Sequence, residues 1–245
     1  MTFVSSLLRT AAAGVLLTAA FAVQAGVVLN GTRFIFSGGD REMTVRLTNE
    51  NSYPVLIQSW AGSIDKDESP DASTAPFVIT PPISRVEAGK GQALRVLYTQ
   101  APLPQDKESA FMLNVLEIPP DAVANAGESM LKIAVRTRVK LFYRPASLPG
   151  SPATAPDQLT WRVASKSGRW VLNVTNPSAY HVSFSKIVLD ASDHRYVIDG
   201  GMVAPGSTTE FPLQGMSQLP SSGTVEFASI NDFGATSERK QPLKM

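Results

Sequence analysis

The chain has 245 residues, 43% of them hydrophobic and 18% charged, with 22 Lys and Arg against 21 Asp and Glu, two His and no Cys. That length suits two domains of about 110 residues, each large enough to bury a core. The balanced charge argues against nucleic acid or an anionic membrane as partner, and the lack of Cys excludes disulfides, thiol catalysis and cysteine-ligated metal.

The first 25 residues are expected to stand outside the fold. Arg9 supplies a positive start, Ala11 to Val23 is an apolar run too short and too Ala-rich for a membrane span, and Val23-Gln24-Ala25 is a small-residue cleavage pattern. We read residues 1–25 as a secretory signal peptide whose removal leaves Gly26 first. Arg9 is the only charge in it, so the remaining chain carries 21 basic and 21 acidic residues. No later stretch has the length of a transmembrane helix, so no membrane insertion is expected.

From Gly26 onward the pattern is extended. Val27-Val28-Leu29 and Arg33-Phe34-Ile35-Phe36 read as one interrupted first strand, and Gly38-Gly39-Asp40 as a hairpin turn leading to a second strand with Met43, Val45 and Leu47 on one face. Tyr53 to Trp60 is a third strand. A polar loop, Asp65 to Ala75, precedes Phe77 to Thr80, which Pro81-Pro82 stops. A turn at Ala88 to Gly91 precedes Leu94 to Tyr98, and Ser109 to Ile118 is closed by Pro119-Pro120. About seven short strands with frequent turn signals and no helical period are the pattern of an immunoglobulin-like sandwich.

Ser129 to Arg144 is the most informative stretch. Leu131, Ile133, Val135, Thr137, Val139, Leu141 and Tyr143 alternate with Lys132, Ala134, Arg136, Arg138 and Lys140. This period of two predicts one strand of roughly 45 Å, longer than a single sandwich core requires. Either its cations guard an exposed edge, or part of it pairs with something outside its own sheet.

Pro145 to Pro156 is Pro-rich and reads as a linker. A second strand series follows: Leu159 to Ala164, Trp170 to Val174, Val182 to Leu189, Tyr196 to Ile198, Glu210 to Leu213, Thr224 to Ile230 and a short tail, Ser237 to Leu243. The expected fold is all-β: residues 26–145 as one immunoglobulin-like domain and 146–245 as a second.

Chemistry-bearing motifs are absent. His181 and His194 lack metal-ligand spacing and read as surface residues, and Gly89-Lys90-Gly91 lacks phosphate-loop spacing. No nucleophile–base pair stands out, so neither enzyme activity, nor a metal, nor any other cofactor is expected.

Four motifs, in order, resemble the periplasmic pilus chaperones of the chaperone–usher pathway. They are Gly31 to Phe36; Asp106 to Pro120 (DKESAFMLNVLEIPP); Val139 to Pro145 (VKLFYRP); and, in the second half, Leu172 to Pro177, Met202 to Pro205 and Ile230 to Ala235. The resemblance covers essentially the whole chain after residue 25. Met112 and Phe233 depart from residues common in the family, but both keep an apolar body.

The resemblance implies two sandwiches set as an L around a cleft. It implies one-to-one binding of pilus subunits, delivery to an outer-membrane usher, and possible self-association of the free chaperone. A subunit is similar to an immunoglobulin-type domain lacking its last strand, and the family's chaperones lend one. Here Leu131, Ile133 and Val135 would be the inserted side chains. Arg33 and Lys140 match the family residues that grip the subunit's C-terminal carboxylate, and Glu108, Arg144 and Asp232 match its inter-domain charge network. For Glu108, beside Lys107, a plain solvated charge is the competing reading. The short connection after Pro120 and the absence of Cys resemble the short-loop branch of the family. The alternative is a secreted two-domain adhesin or carbohydrate-binding protein, which would call for aromatic-rich loops. Trp60, Trp161 and Trp170 instead fall in expected strands, where core packing accounts for them.

Overall fold

The computed structural model describes residues 26–121, 131–191 and 193–244. The expected signal peptide and most of the short connection, residues 122–130 with Ser129 and Met130 of the long stretch, lie outside the described residues.

Nine strands build the first half: β1 (Val27–Leu29), β2 (Arg33–Ser37), β3 (Glu42–Asn49), β4 (Val55–Ser63), β5 (Phe77–Thr80), β6 (Ile83–Val86), β7 (Gly91–Tyr98), β8 (Ser109–Ile118) and β9 (Val135–Arg144). They form a four-stranded sheet ordered β1-β3-β7-β5 and a five-stranded sheet ordered β2-β9-β8-β4-β6. Alternation decides which side chains meet between the sheets. Val45 and Leu47 of β3, Leu94 and Val96 of β7, Leu113 and Val115 of β8, and Val139 and Leu141 of β9 are buried in one core. Phe36, Phe77, Tyr98 and Tyr143 add a ring cluster, with Tyr98 and Tyr143 centroids 4.7 Å apart.

Seven strands build the second half: β10 (Thr160–Lys166), β11 (Arg169–Asn176), β12 (Val182–Ala191), β13 (His194–Val203), β14 (Ser207–Pro212), β15 (Gly223–Ile230) and β16 (Thr236–Pro242). Their sheets are ordered β10-β11-β14 and β13-β12-β15-β16. A separate core collects Trp161, Leu172, Phe184, Ile187, Leu189 and Phe227. The chain is nearly all-β, as the alternation predicts; the described exceptions are two 3-10 turns, Pro70–Ala72 and Ala155–Gln158. Trp60 and Trp161 are buried and Trp170 is half-buried.

Several expectations need correction. The interrupted first strand is two strands in two sheets: β1 pairs with β3, and β2 runs parallel to β9. Gly38 to Asp40 is therefore a crossing between sheets rather than a hairpin turn, and the Gly38 N–H bonds Arg144 O at 2.7 Å. Ile83–Val86 is a strand, paired to β4 beyond the proline stop. The short tail is a full edge strand paired to β15. The long stretch is also shorter than expected. Its ladder with β8 ends at Glu117 opposite Val135, and Leu131 to Ala134 extend past it without strand pairing, because β8 has stopped at Pro119-Pro120.

Candidate functional site

The sheet order brings two cations together. In the parallel register of β2 and β9, Arg33 is the direct partner of Lys140. Both reach the second domain. Lys140 Nζ donates to Ser183 Oγ at 3.1 Å, and Arg33 Nη1 donates to Ile230 O at 3.1 Å. Ser183 and Ile230 are themselves cross-strand partners on β12 and β15. One adjacent pair thus faces another across the domain boundary.

The electrostatics of this pair are unfavourable. Among the described residues no carboxylate oxygen lies within 4.0 Å of either cation. Burial, and then the nearby Arg33 charge, pulls the Lys140 ammonium down to about 8. Burial also lowers Arg33 from its ordinary value, against the pull of Asp232 and Glu108. Arg33 Nε is buried and has no hydrogen-bond partner. Two cations held side by side with donors to spare can take an anion, and a carboxylate matches the guanidinium geometry. A hollow of about 280 Å³ between the domains is lined by Arg33, Arg144, Val182, Ile230, Phe233 and Arg239; Lys140 is not part of that lining.

Beside this pair lies a second cluster, and here Glu108, Arg144 and Asp232 are in contact. Arg144 Nε donates to Glu108 Oε1 at 2.6 Å, and its two terminal nitrogens form a fork to Asp232 at 2.6 and 2.9 Å. Burial alone would lower the Arg144 pKa, but the two carboxylates outweigh it and raise it above the ordinary value. The Glu108 side chain is 2% exposed, which overturns the solvated-charge alternative. Glu108 also binds the second domain's backbone: its N–H donates to Ala179 O at 2.9 Å, and its Oε2 accepts the His181 N–H at 2.8 Å.

The loop that receives Glu108 is shaped by Asn176, which is fully buried. Its Oδ1 accepts the Ser178 N–H and its Nδ2 donates to Tyr180 O, which closes the turn. Asn49 does the same in the first domain, toward Asn51 N and Tyr53 O. At the same domain boundary, Gly234 has φ +84°, and a Cβ there would fall 2.4 Å from Thr32 Oγ1. Only Gly lets that loop approach so closely.

The outer half of the Leu131–Arg144 stretch has two unlike faces. Leu131, Ile133 and Val135 are 85%, 63% and 52% exposed. Val139, Leu141 and Tyr143, in the same alternation, are buried in the core. On the even face the chain itself occupies Arg136. The Arg136 guanidinium lies 4.6 Å from the Trp60 ring centroid, bonds Asn114 Oδ1 at 2.8 Å and pairs with Asp67 at 2.6 Å. Residues 131–135 are exposed on both sides, and their apolar side chains have no packing partner in the core described above.

Three residues at the boundary escaped the sequence reading. His181, expected at the surface, has a side chain only 6% exposed; it faces Glu108 Oε2 at 3.4 Å and packs against Phe142, with centroids 5.4 Å apart. His194 is exposed, as expected. Ser183 belongs to none of the motifs; Ile230 opens the Ile230 to Ala235 motif, but it acts through its backbone carbonyl, which any residue supplies.

Comparison with known proteins agrees with this geometry. Residues 26–149 match the family described as "Pili and flagellar-assembly chaperone, PapD N-terminal domain", and residues 154–241 match "Pili assembly chaperone PapD, C-terminal domain". The chain is 44% identical over 217 residues to the probable fimbrial chaperone YadV of Escherichia coli K12, covering 87% of this chain and 88% of that one. The crystal structure of the YadV chaperone superposes with a TM-score of 0.78 at 41% identity, over 89% of this chain and all of that one. A structure of the SafA pilin of Salmonella enterica in complex with the SafB chaperone matches with a TM-score of 0.70 at 27% identity, over 91% and 97%. These matches displace the adhesin alternative. The chain belongs to the PapD-type pilus-assembly chaperones of the chaperone–usher pathway.

Proposed function

We propose that this chain binds pilus subunits one to one by completing their open sandwich with its own residues 131–135. Leu131, Ile133 and Val135 fill the subunit's groove, and the backbone between them pairs with its edge, which supplies affinity without regard to side-chain identity. Burying each side chain contributes roughly 1.5–3 kcal/mol before the ordering cost. Arg33 and Lys140 take the subunit's C-terminal carboxylate and so set the register, which alternation alone leaves free to slip by two residues. Glu108, Arg144 and Asp232 hold the two domains, residues 26–145 and 146–245, at the angle the cleft needs. The bound subunit is then passed to an outer-membrane usher.

One observation carries this reading: Lys140 stands on the strand whose outward continuation exposes Leu131, Ile133 and Val135, and beside it on β2 lies Arg33, with no carboxylate among the described residues within 4.0 Å of either cation. Chaperones of this pathway are periplasmic, and residues 1–25 are the leader that takes the chain there and is removed. The short connection after Pro120 and the absence of Cys support a place in the short-loop branch.

The test is a pull-down from the periplasm of the native host with a tagged chain, compared with Arg33→Ala and Lys140→Ala. A small fimbrial subunit should co-purify with the unaltered chain and be lost from both variants. Equal capture by all three would contradict the anchor, and no capture while the fimbrial operon is expressed would contradict subunit binding.

A further inference from the structure

Glu117 stands at the root of the projecting segment. It is the last residue of β8 paired with β9, opposite Val135, and it is only 8% exposed. Its Oε1 accepts from Asn51 Nδ2 at 2.8 Å and its Oε2 from the Val27 N–H at 2.9 Å. Both donors are neutral. Among the described residues no cation lies within 4.0 Å of the carboxylate. A carboxylate has about four lone-pair positions, so part of its capacity is unused. A buried carboxylate with no counter-charge is a costly arrangement.

Gly26 lies against the same group. A Cβ on Gly26 would be 2.6 Å from Glu117 Oε2, so a larger residue would intrude on the carboxylate. The Gly26 carbonyl accepts the Glu50 N–H at 3.2 Å, and the Val27 N–H is already bound to Glu117; the residue is pinned on both sides. The Gly26 nitrogen is two bonds from that Cβ position, hence within roughly 5 Å of the oxygen. While Ala25 is attached, this nitrogen is a neutral amide with one hydrogen. Hydrolysis changes that: water adds across the Ala25 carbonyl, the C–N bond breaks, Ala25 keeps the new carboxylate, and the nitrogen leaves as an amine that takes up a proton.

We infer that the α-ammonium group of Gly26, created when residues 1–25 are removed, is the counter-ion of Glu117, so that processing completes a buried ion pair at the base of the subunit-binding strand. This rests on the proposed removal of the leader. The precursor has no such pair, and the root of β9 is fully tied only in the processed chain. Processing is thereby coupled to the firmness of the strand that the chaperone lends.

The test is a cycle of four purified proteins: the chain beginning at Gly26 and the chain extended by Gln24-Ala25, each with Glu117 or with Glu117→Gln. Urea unfolding should show the extension weakening the folding equilibrium roughly tenfold or more with Glu117 and having no effect with Glu117→Gln. An equal effect in both backgrounds, or none in either, would overturn the ion pair. The intact mass of the exported protein separates the two readings. A chain beginning elsewhere than Gly26 overturns both the leader assignment and the pair, whereas a Gly26 start without coupling overturns the pair alone.

Discussion

Arg33 and Lys140 are register partners on parallel strands, and each is held by one member of a second register pair, Ile230 and Ser183, in the other domain. Two like charges are fixed at the domain boundary, and among the described residues no carboxylate oxygen lies within 4.0 Å of either. Such an arrangement disfavours the free protein and suits a bound carboxylate.

The sign of this burden can be measured. Lys140 titrates near 8 in the folded chain against an ordinary value of 10.5, chiefly because it is buried and then because of Arg33. Between those values the unfolded chain holds a proton that the folded chain lacks, so stability rises with pH across that window, and below it the charge works against the fold. Replacing Lys140 by Met should stabilise the free chain by about 1 kcal/mol near neutral pH. The gain should shrink as pH rises through the window, while subunit capture is lost. Urea melts across pH beside a capture assay would show whether stability and binding part in this way.

The odd face of the Leu131–Arg144 stretch should divide in the same manner. Leu131→Ser and Ile133→Ser touch exposed side chains and should change stability by less than about 0.5 kcal/mol while reducing subunit binding. Leu141→Ala empties a fully buried position and should cost about 2–5 kcal/mol. Thermal melts of the three variants test the contrast, and a marked loss of stability in Leu131→Ser would place that residue in the chain's own core.

The charge knot should show a hierarchy. Arg144→Ala leaves Glu108 buried and uncompensated and should cost about 3–5 kcal/mol. Asp232→Ala leaves Arg144 paired with Glu108 and removes a side chain that is 32% exposed; it should cost about 1–2 kcal/mol. Chemical denaturation gives the order, and solution scattering tells whether the domains part before they unfold.

Much of this was legible in the sequence because alternation is a direct record of two-sided strands. Ser109 to Ile118 has the expected bounds, since its apolar face starts after a charged turn and ends at two prolines that cannot donate to a ladder. Alternation gives faces but not partners. The alternation of Val27 to Phe36 does not announce that the chain changes sheets at Asn30–Thr32, and it is the motif resemblance, not the alternation, that pairs Arg33 with a Lys more than a hundred residues later. The charges of Ser237 to Lys240 hid an edge strand, because edge strands tolerate polar residues on both faces. The burial of His181 follows from Glu108 needing donors at the boundary, a demand visible only once both domains are in place.

The most direct measurement titrates the chain with a synthetic peptide copying the last residues of the captured subunit, prepared as a free acid and as a C-terminal amide. Charge-assisted hydrogen bonds to a carboxylate are worth about 1.5–3 kcal/mol each. The acid should therefore bind at least roughly tenfold more tightly than the amide. It should do so only while Arg33 and Lys140 are intact, and more weakly as pH rises through about 8, where free Lys140 loses its proton. Equal affinity for the two peptides would contradict the carboxylate anchor.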